Sequence, residues 1–183
     1  IERTAENIQQ YVQELRESPE REMRSLLNAL NGGFIAPSPG GDAVRNPNTL
    51  PTGRNLFGIN AEATPGVRAW DEGKALAKST LDRYYRKHGE YPRKVSYTFW
   101  AGEFIETEGA TLAQALYMLG VAPVRDGMNR VTDLRLIPSA ELGRPRIDVV
   151  VQTSGQLRDV AASRLELLTK AVKMVAQSEN DTC

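Results

Sequence analysis

Residues 147–151, IDVVV, decide the fold class of this chain. The run is short, almost continuously apolar and rich in β-branched valine, which predicts a strand that is buried on both faces. Residues 95–100, VSYTFW, have a similar β-branched and aromatic character and predict a second strand. Between them, residues 107–120 carry leucine and alanine at helical spacing and end at a glycine. This alternation predicts an α/β fold with a mostly parallel sheet.

The elements that flank these segments fit the same layered arrangement. Short strands are predicted at 121–124 and 134–137, a helical turn at 139–142 and a final helix at 161–177. Residues 91–183 are therefore predicted to form a Rossmann- or flavodoxin-like core, with helices packed on the sheet.

The first half of the chain is predicted to be helical, apart from one long loop. Apolar residues at helical spacing predict a helix over 4–17. Ser18-Pro19 then predicts a restart of the helix, because proline is favoured in a first helical turn. Thr64-Pro65 predicts the start of another helix by the same rule.

The long loop, 31–60, has an unusual composition. In its core, NGGFIAPSPGGDAVRNPNTLPTGRN (31–55), five of the 25 residues are glycine and four are proline, which argues against a helix or a central strand. Apolar residues are interspersed, unlike in a flexible linker, so the loop is predicted to be ordered, either as a binding loop or as a structural crossover. The chain thus divides into a helical region with this loop, 1–90, and the α/β core, 91–183. Together they are interpreted as one domain cut from a much larger chain.

The composition excludes several classes of function. The 183 residues carry 23 basic and 23 acidic side chains, so bulk charge gives no reason to expect binding to nucleic acid or to a membrane surface. No apolar run approaches the roughly 18 residues of a membrane helix. One histidine, His88, and one cysteine, Cys183, cannot assemble a zinc site of the usual ligands or an internal disulfide. We expect a cytoplasmic protein without a cofactor or metal site in this segment, and an exposed His88 at a helix end.

The paired glycines at 32–33 and 40–41 do not make a phosphate-binding loop. No Gly-Lys-Ser/Thr follows them, and no predicted strand precedes them. Nucleotide binding by this segment is therefore not predicted, and the glycines are assigned to tight turns.

Charged residues on the loop are the first candidates for ligand binding. Asp42, Arg45 and Arg54 lie on a loop predicted to be ordered, and Asn55 follows directly. A guanidinium group pairs well with the carboxylates of a ligand. An alternative with equal support is that these charged side chains pair with one another and fix the loop.

A second set of candidates follows the predicted strand 95–100. Glu103, Glu106 and Glu108 occupy the carboxyl end of that strand, where open α/β sheets bind their ligands. Carboxylates at this place also stabilise the first turn of a helix against its dipole. The capping explanation is preferred for these glutamates.

A third set occupies the equivalent place after the strand 147–151. Ser154 and Arg158 lie in the segment SGQLRD. Nothing marks Ser154 as a nucleophile, because no base is visible near it in the sequence.

Four longer segments carry a resemblance to a known family. They are NALNGGFIAPSPGGDAVRNPNTLPTGRN (28–55), GEYPRKVSYTFW (89–100), ETEGATLAQALYMLGVAPV (106–124) and ELGRPRIDVVVQTSGQLRD (141–159). In that order they resemble the large subunit of the cobaltochelatase and magnesium chelatase family, CobN and its ChlH or BchH relatives. The segments TEGATLAQALYMLGV and SGQLRDVAASRLELL look more like CobN-type proteins of anaerobic bacteria than like plant magnesium chelatases.

The resemblance implies a much larger parent protein that binds a tetrapyrrole, either a corrin or a porphyrin, and receives a divalent metal, cobalt or magnesium, as substrate. It implies that ATP is hydrolysed by separate AAA+ partner subunits and that the isolated fragment is inactive. A motif of the type HGxxEWLPG, which the family carries elsewhere, is absent from this chain, so the catalytic residues are unknown, with Glu106 and Glu108 as supporting candidates. The substrate-binding residues expected from the resemblance and the loop are Asp42, Arg45, Arg54, Asn55, Ser154 and Arg158.

Two other functions stay open at this stage. A CobN-like protein could instead remove the metal from haem, which reverses the chemistry. Alternatively, the domain could be a scaffold that docks the AAA+ subunits through the helix 64–88 and touches no ligand.

Overall fold

The computed structural model of the chain describes residues 2–40, 43 and 49–178. Its contacts group the chain into two compact units, one that ends at Gly58 and one that begins at Ile59. The second unit therefore contains the helix after Thr64-Pro65 together with the α/β core.

The first unit begins with helix α1, Glu2–Leu30, which contains Pro19. The predicted restart at Ser18-Pro19 is wrong, because the helix continues through the proline. Proline removes one backbone donor, but the Ser18 hydroxyl donates to the Glu14 carbonyl at 2.8 Å and accepts from the Thr52 N–H at 3.0 Å. Ser18 thus ties α1 to the returning loop at the point where the helix lacks a hydrogen bond.

Two short strands close the long loop. Strands β1, Pro37–Pro39, and β2, Asn55–Phe57, pair in parallel. Residues 41, 42 and 44–48 of the loop lie outside the described residues. The pairing brings the segment that follows α1 and the segment that precedes the second unit side by side.

The second unit alternates helices and strands. After a 3-10 helix at Ala61–Ala63, the elements are α2 (Val67–His88), β3 (Lys94–Phe99), α3 (Ala101–Thr107), α4 (Ala110–Leu119), β4 (Val121–Arg125), β5 (Val131–Leu136), α5 (Ser139–Leu142), β6 (Asp148–Thr153), α6 (Gly155–Val160) and α7 (Ala162–Gln177). Helix α2 starts after the predicted Thr64-Pro65. Thr64 has an extended backbone, with φ −88° and ψ 133°, because a residue before proline is disfavoured in the helical region.

The predicted α/β class is confirmed, and two of the strand pairs are parallel. Strand β3 pairs with β6 from Lys94 opposite Asp148 to Phe99 opposite Thr153. Strands β4 and β5 form an antiparallel pair. Among the described residues the strands thus form three separate pairs, where the sequence pattern indicates one larger sheet.

Strand β6 is buried on one face only, which corrects the expectation for residues 147–151. Val149 and Val151 are half-buried against the core, whereas Asp148 and Val150 are exposed. A continuous apolar run does not reveal whether a second layer covers the strand. In the second unit, the core covers one face of β6.

The helix predicted at 107–120 is found as α4, which begins at Ala110, and a further helix, α3, precedes it. Glu108 and Gly109 have positive φ angles of 53° and 84° and separate α3 from α4. Two successive residues in the left-handed region interrupt helical hydrogen bonding, so the chain turns between the helices. The predicted final helix is found as α7, preceded by the short α6.

Helix α4 is the centre of the core. Its Leu112 and Leu116 are fully buried with Phe99 and Leu157. Its Met118 belongs to a second buried cluster against α2 and the residues before β6. A helix that is apolar on most sides is buried on most sides, and α4 thereby fixes the places of β3 and β6. No helix within residues 2–40 or 49–178 is long and apolar enough to cross a membrane.

Candidate functional site

Arg54 is held by its own loop. Its guanidinium group donates to the Leu50 carbonyl at 2.8 Å and to the Pro51 carbonyl at 3.2 Å. Asn55 donates through its backbone N–H to Ala36 at 3.0 Å and through its side chain to Ile35 at 3.3 Å. Both residues thus hold the closed end of the loop. The other two loop candidates, Asp42 and Arg45, lie outside the described residues.

Gly53 lets this loop approach the backbone of α1. Its φ is +84°, and a Cβ there would lie 2.7 Å from the Arg21 carbonyl carbon and 2.7 Å from the Glu22 nitrogen. Only glycine fits both the backbone conformation and the gap. The LPTGRN segment is therefore a backbone-to-backbone anchor for the loop.

Gly53→Ala is expected to loosen this anchor. The left-handed conformation alone costs a non-glycine residue about 1–3 kcal/mol, and the clash with α1 adds to that. Hydrogen exchange of the amides in 49–57 should become about tenfold faster or more in the full-length protein. Gly58→Ala is the matched control, since a Cβ at Gly58 meets nothing within 4 Å. Equal exchange in the two variants would contradict the anchor.

The carboxyl ends of β3 and β6 lie side by side, as the rule for parallel strands requires. The Ser154 N–H donates to the Phe99 carbonyl at 3.1 Å, which joins the two strand ends. The Ser154 hydroxyl accepts from the Leu157 N–H at 3.2 Å and caps α6. Ser154 therefore has a capping role here. At the same edge Trp100 is 60% exposed, and Arg158 is exposed in the last turn of α6.

The three glutamates after β3 have different roles. Glu103 caps α4 with its side chain: Oε1 accepts from the Thr111 N–H at 3.2 Å and from the hydroxyls of Thr111 and Thr107 at 2.6 and 2.7 Å. The preferred capping explanation thus applies to Glu103, although the capped helix is the second one. The Glu103 Oε2 atom is buried without a hydrogen-bond partner.

Glu106 and Glu108 lie at the other end of α3. Glu106 is half-buried in the last turn of the helix. The Glu108 carbonyl accepts from the Gly66 N–H at 2.9 Å. A Cβ at Gly66 would collide with Glu108 Oε2, so the carboxylate lies against the start of α2, where it complements the positive end of the helix dipole.

A set of arginines that the sequence reasoning missed holds the second unit together. Each donates to at least one backbone carbonyl that is remote in sequence: Arg125 to Pro65, Arg144 to Tyr117 and Met118, Arg146 to Leu119 and Gly120, and Arg164 to Thr64. For Arg144 and Arg146 the available signal was the GRPR segment directly before the apolar run of β6, because arginines beside a core strand are unusual unless they have partners.

Two of these arginines hold the turn before α2. The Arg164 side chain donates to the Thr64 carbonyl at 3.0 Å and pairs with Glu62 at 3.5 Å. Arg125 donates to the Pro65 carbonyl at 2.6 Å. Burial lowers the pKa of Arg164, and the nearby Glu62 acts in the opposite direction. Both guanidinium groups thus bind backbone carbonyls of the Thr64-Pro65 turn and fix it, and Arg164 pairs with Glu62 in addition.

Arg144 influences Tyr97 on β3. Burial raises the pKa of the Tyr97 phenol to about 12, while the positive charge of Arg144 acts to lower it. Tyr97 is therefore a neutral hydroxyl at physiological pH.

The described residues hold no group of three His, Cys, Asp or Glu side chains that could bind a metal ion. His88 is exposed at the end of α2, as predicted, and its ring lies 4.3 Å from that of Tyr84. The second unit is thus an α/β domain of the type that presents polar groups at the carboxyl ends of parallel strands.

A family profile described as CobN/Magnesium Chelatase matches residues 2–182, and the chain belongs to that family. The resemblance seen in the sequence is confirmed.

Individual relatives agree with this membership. The chain is 42% identical over 159 residues to the chloroplastic magnesium-chelatase subunit ChlH of Oryza sativa, a match that covers 86% of this chain and 12% of the rice protein. It is 39% identical over 162 residues to the aerobic cobaltochelatase subunit CobN of a Sinorhizobium species, covering 87% of this chain and 13% of that protein. Magnesium and cobalt chelatase subunits match about equally, so the predicted preference for CobN-type proteins of anaerobes stays a prediction.

A solved structure confirms the fold. The catalytic subunit of cobaltochelatase from Mycobacterium tuberculosis matches with a TM-score of 0.79 and 41% sequence identity. The match covers 91% of this chain and 15% of that chain. The chain therefore spans only a small part of the length of the relatives it matches.

Proposed function

We propose that this chain is a domain of the large, tetrapyrrole-binding subunit of an ATP-dependent metal chelatase, which inserts cobalt or magnesium into a corrin or porphyrin. The observation that carries the proposal is the match of most of the chain to subunits of both magnesium and cobalt chelatases. ATP hydrolysis would be supplied by AAA+ partner subunits. This division of labour agrees with the lack of a Gly-Lys-Ser/Thr phosphate loop in the sequence.

Metal insertion requires that the inner pyrrole N–H protons be removed while the ring is held in place. In this proposal the chain supplies binding groups for the macrocycle, and the base comes from the rest of the parent protein. At the β3–β6 edge, exposed Trp100 offers an aromatic face for a planar ring, and exposed Arg158 offers a donor for a peripheral carboxylate. The further proposed contacts are Asp42, Arg45, Arg54, Asn55 and Ser154, with Glu106 and Glu108 as supporting carboxylates.

Arg158 is the residue whose substitution tests the β3–β6 edge most directly. Its side chain is exposed, so Arg158→Ala should leave the fold intact. Loss of a charge-assisted hydrogen bond, worth about 1.5–3 kcal/mol, should weaken tetrapyrrole binding by about tenfold or more. Binding is measured by absorbance titration of the full-length protein, with Arg83→Ala on the exposed side of α2 as the control. Equal affinities of the two variants would remove Arg158 from the site.

The reaction itself is tested on the full-length protein with its AAA+ partners and ATP. One arm supplies a metal-free corrin with cobalt, a second supplies protoporphyrin with magnesium, and a third supplies haem alone. A change in the absorption spectrum in either of the first two arms supports insertion and identifies the macrocycle and the metal. Metal loss in the third arm alone would replace insertion with removal. No spectral change in any arm would overturn the proposal.

A further inference from the structure

A small cavity in the second unit lies outside every group discussed for the chelatase reaction. Its volume is about 210 Å³, and it lies between α2, the segment before β3, α4 and the turn after α5. Its polar lining consists of Lys78 and Asp82 from α2, Tyr91, Tyr117 from α4, and Arg144. The cavity shares no residue with the proposed tetrapyrrole contacts.

Arg144 is buried at this cavity without a formal counter-charge. It is only 9% exposed, and its terminal nitrogens donate to the carbonyls of Tyr117 at 2.6 Å, Pro145 at 2.8 Å and Met118 at 3.3 Å. Its guanidinium carbon lies 4.8 Å from the centre of the Tyr117 ring. The Nε atom is buried and has no hydrogen-bond partner. Within the described part of the chain, no ion pair joins Arg144 to a carboxylate.

Capping of α4 explains part of this arrangement. Carbonyls at the C-terminus of a helix lack partners within the helix, and a cation there is favoured by the helix dipole. This role accounts for the terminal nitrogens of Arg144. It does not account for the unpaired Nε, nor for a cavity with Lys78 as a second cation in its wall. Asp82 is the only acidic residue among the lining residues, so the lining carries a net positive charge.

We infer that this cavity binds a small oxyanion, either a carboxylate or a phosphate. Arg144 supplies a preorganised planar cation, Lys78 a second charge from the rim, and the tyrosines supply hydroxyl and ring contacts. A cavity of about 150 Å³ suffices for benzene, whereas drug-sized ligands need about 300 Å³ or more. The volume therefore suits an anion between phosphate and benzoate in size and excludes a tetrapyrrole ring.

The test uses the reactivity of Lys78 in the full-length protein. An amine-acylating reagent is applied with phosphate, acetate, benzoate or chloride at constant ionic strength, and the modification of each lysine is followed by peptide mass spectrometry. An oxyanion in the cavity should slow acylation of Lys78 about fivefold or more at saturation. Lys87, exposed on the same helix, is the internal control and should be unaffected. Protection by phosphate alone, by carboxylates alone or by both supports the site and identifies its ligand.

A pair of charge variants distinguishes the cavity from general surface binding. Asp82→Asn removes the acidic group of the lining, so the oxyanion concentration that gives half protection should fall about threefold or more. Glu72→Gln removes an exposed carboxylate elsewhere on α2 and should change nothing. Parallel slowing of Lys78 and Lys87, no protection by any oxyanion, or identical midpoints in the two variants would overturn the inference. None of these outcomes bears on metal insertion, so the two proposals fail independently.

Discussion

Gly73→Ala adds a single methyl group, yet it is expected to destabilise the second unit strongly. Gly73 is buried in α2, where a Cβ would lie 2.6 Å from the Ala110 carbonyl oxygen and 2.6 Å from the Ala113 Cβ. The contact atoms belong to the first turn of α4, the central core helix, so they cannot move aside without shifting the core. Overpacking of this kind costs about 1–3 kcal/mol. Amide exchange in α4 should become roughly 10- to 100-fold faster.

The matched control, Gly102→Ala, is expected to stabilise the protein instead of destabilising it. Gly102 lies in α3, is exposed, and offers open space to an added methyl group, with nothing within 4 Å of its Cβ position. Replacing a helical glycine by alanine without a clash stabilises by roughly 0.5–1 kcal/mol. Gly102→Ala should therefore slow exchange in α3 slightly, whereas Gly73→Ala accelerates exchange in α4. A stabilising effect of Gly73→Ala would show that α2 and α4 are not in backbone contact.

The elements that could be predicted from the sequence are those whose signal is local. Helix α7 and strand β3 follow directly from apolar spacing and β-branched composition. The α/β class follows from their alternation. Local periodicity does not record which strand pairs with which, and for that reason the separate antiparallel pair of β4 and β5 was not predicted.

Two of the wrong predictions are places where a distant contact overrides a local rule. Pro19 is a helix breaker by composition, yet α1 runs through it while Ser18 bonds to Glu14 and to Thr52. Glu108 has ordinary helix propensity, yet its φ angle is positive, and its carbonyl accepts a hydrogen bond from the Gly66 N–H. In both cases the deciding partner lies more than thirty residues away in sequence.

The candidate site was predictable only in part. Placing Ser154 and Arg158 beyond a strand end required one strand and one rule about parallel sheets. Apart from the charged GRPR segment, the structural arginines left no such pattern, because they bind carbonyls that are remote in sequence. Arg146, for instance, donates to Gly120 at 2.6 Å across a separation of 26 residues. Side-chain to backbone bonds of this range have no periodicity, so they appear only once the fold is known.

Arg164→Ala is expected to release the turn that precedes α2. Arg164 is 4% exposed on α7, and its loss would leave the Thr64 carbonyl buried without its 3.0 Å donor. An unsatisfied buried polar group costs about 1–3 kcal/mol, and the truncated side chain also leaves a cavity. Exchange of the amides in 59–66 should become about tenfold faster or more in the full-length protein. The Glu62 carboxylate is largely exposed, so it should add little to the loss.

Two further variants test whether the hydrogen bond from Arg164 to the Thr64 carbonyl causes the faster exchange. Arg158→Ala removes an exposed arginine from the neighbouring helix α6 and should leave exchange at 59–66 unchanged. Glu62→Gln removes the ion pair but keeps the Arg164 bond to Thr64, so it should have a much smaller effect than Arg164→Ala. If Glu62→Gln reproduced the full effect, the turn would depend on the ion pair and not on the buried hydrogen bond. Arg164→Ala should therefore increase the exchange rate far more than the other two variants. In Arg164→Ala a buried carbonyl has lost its donor, whereas the groups affected in the other two are exposed and still hydrated.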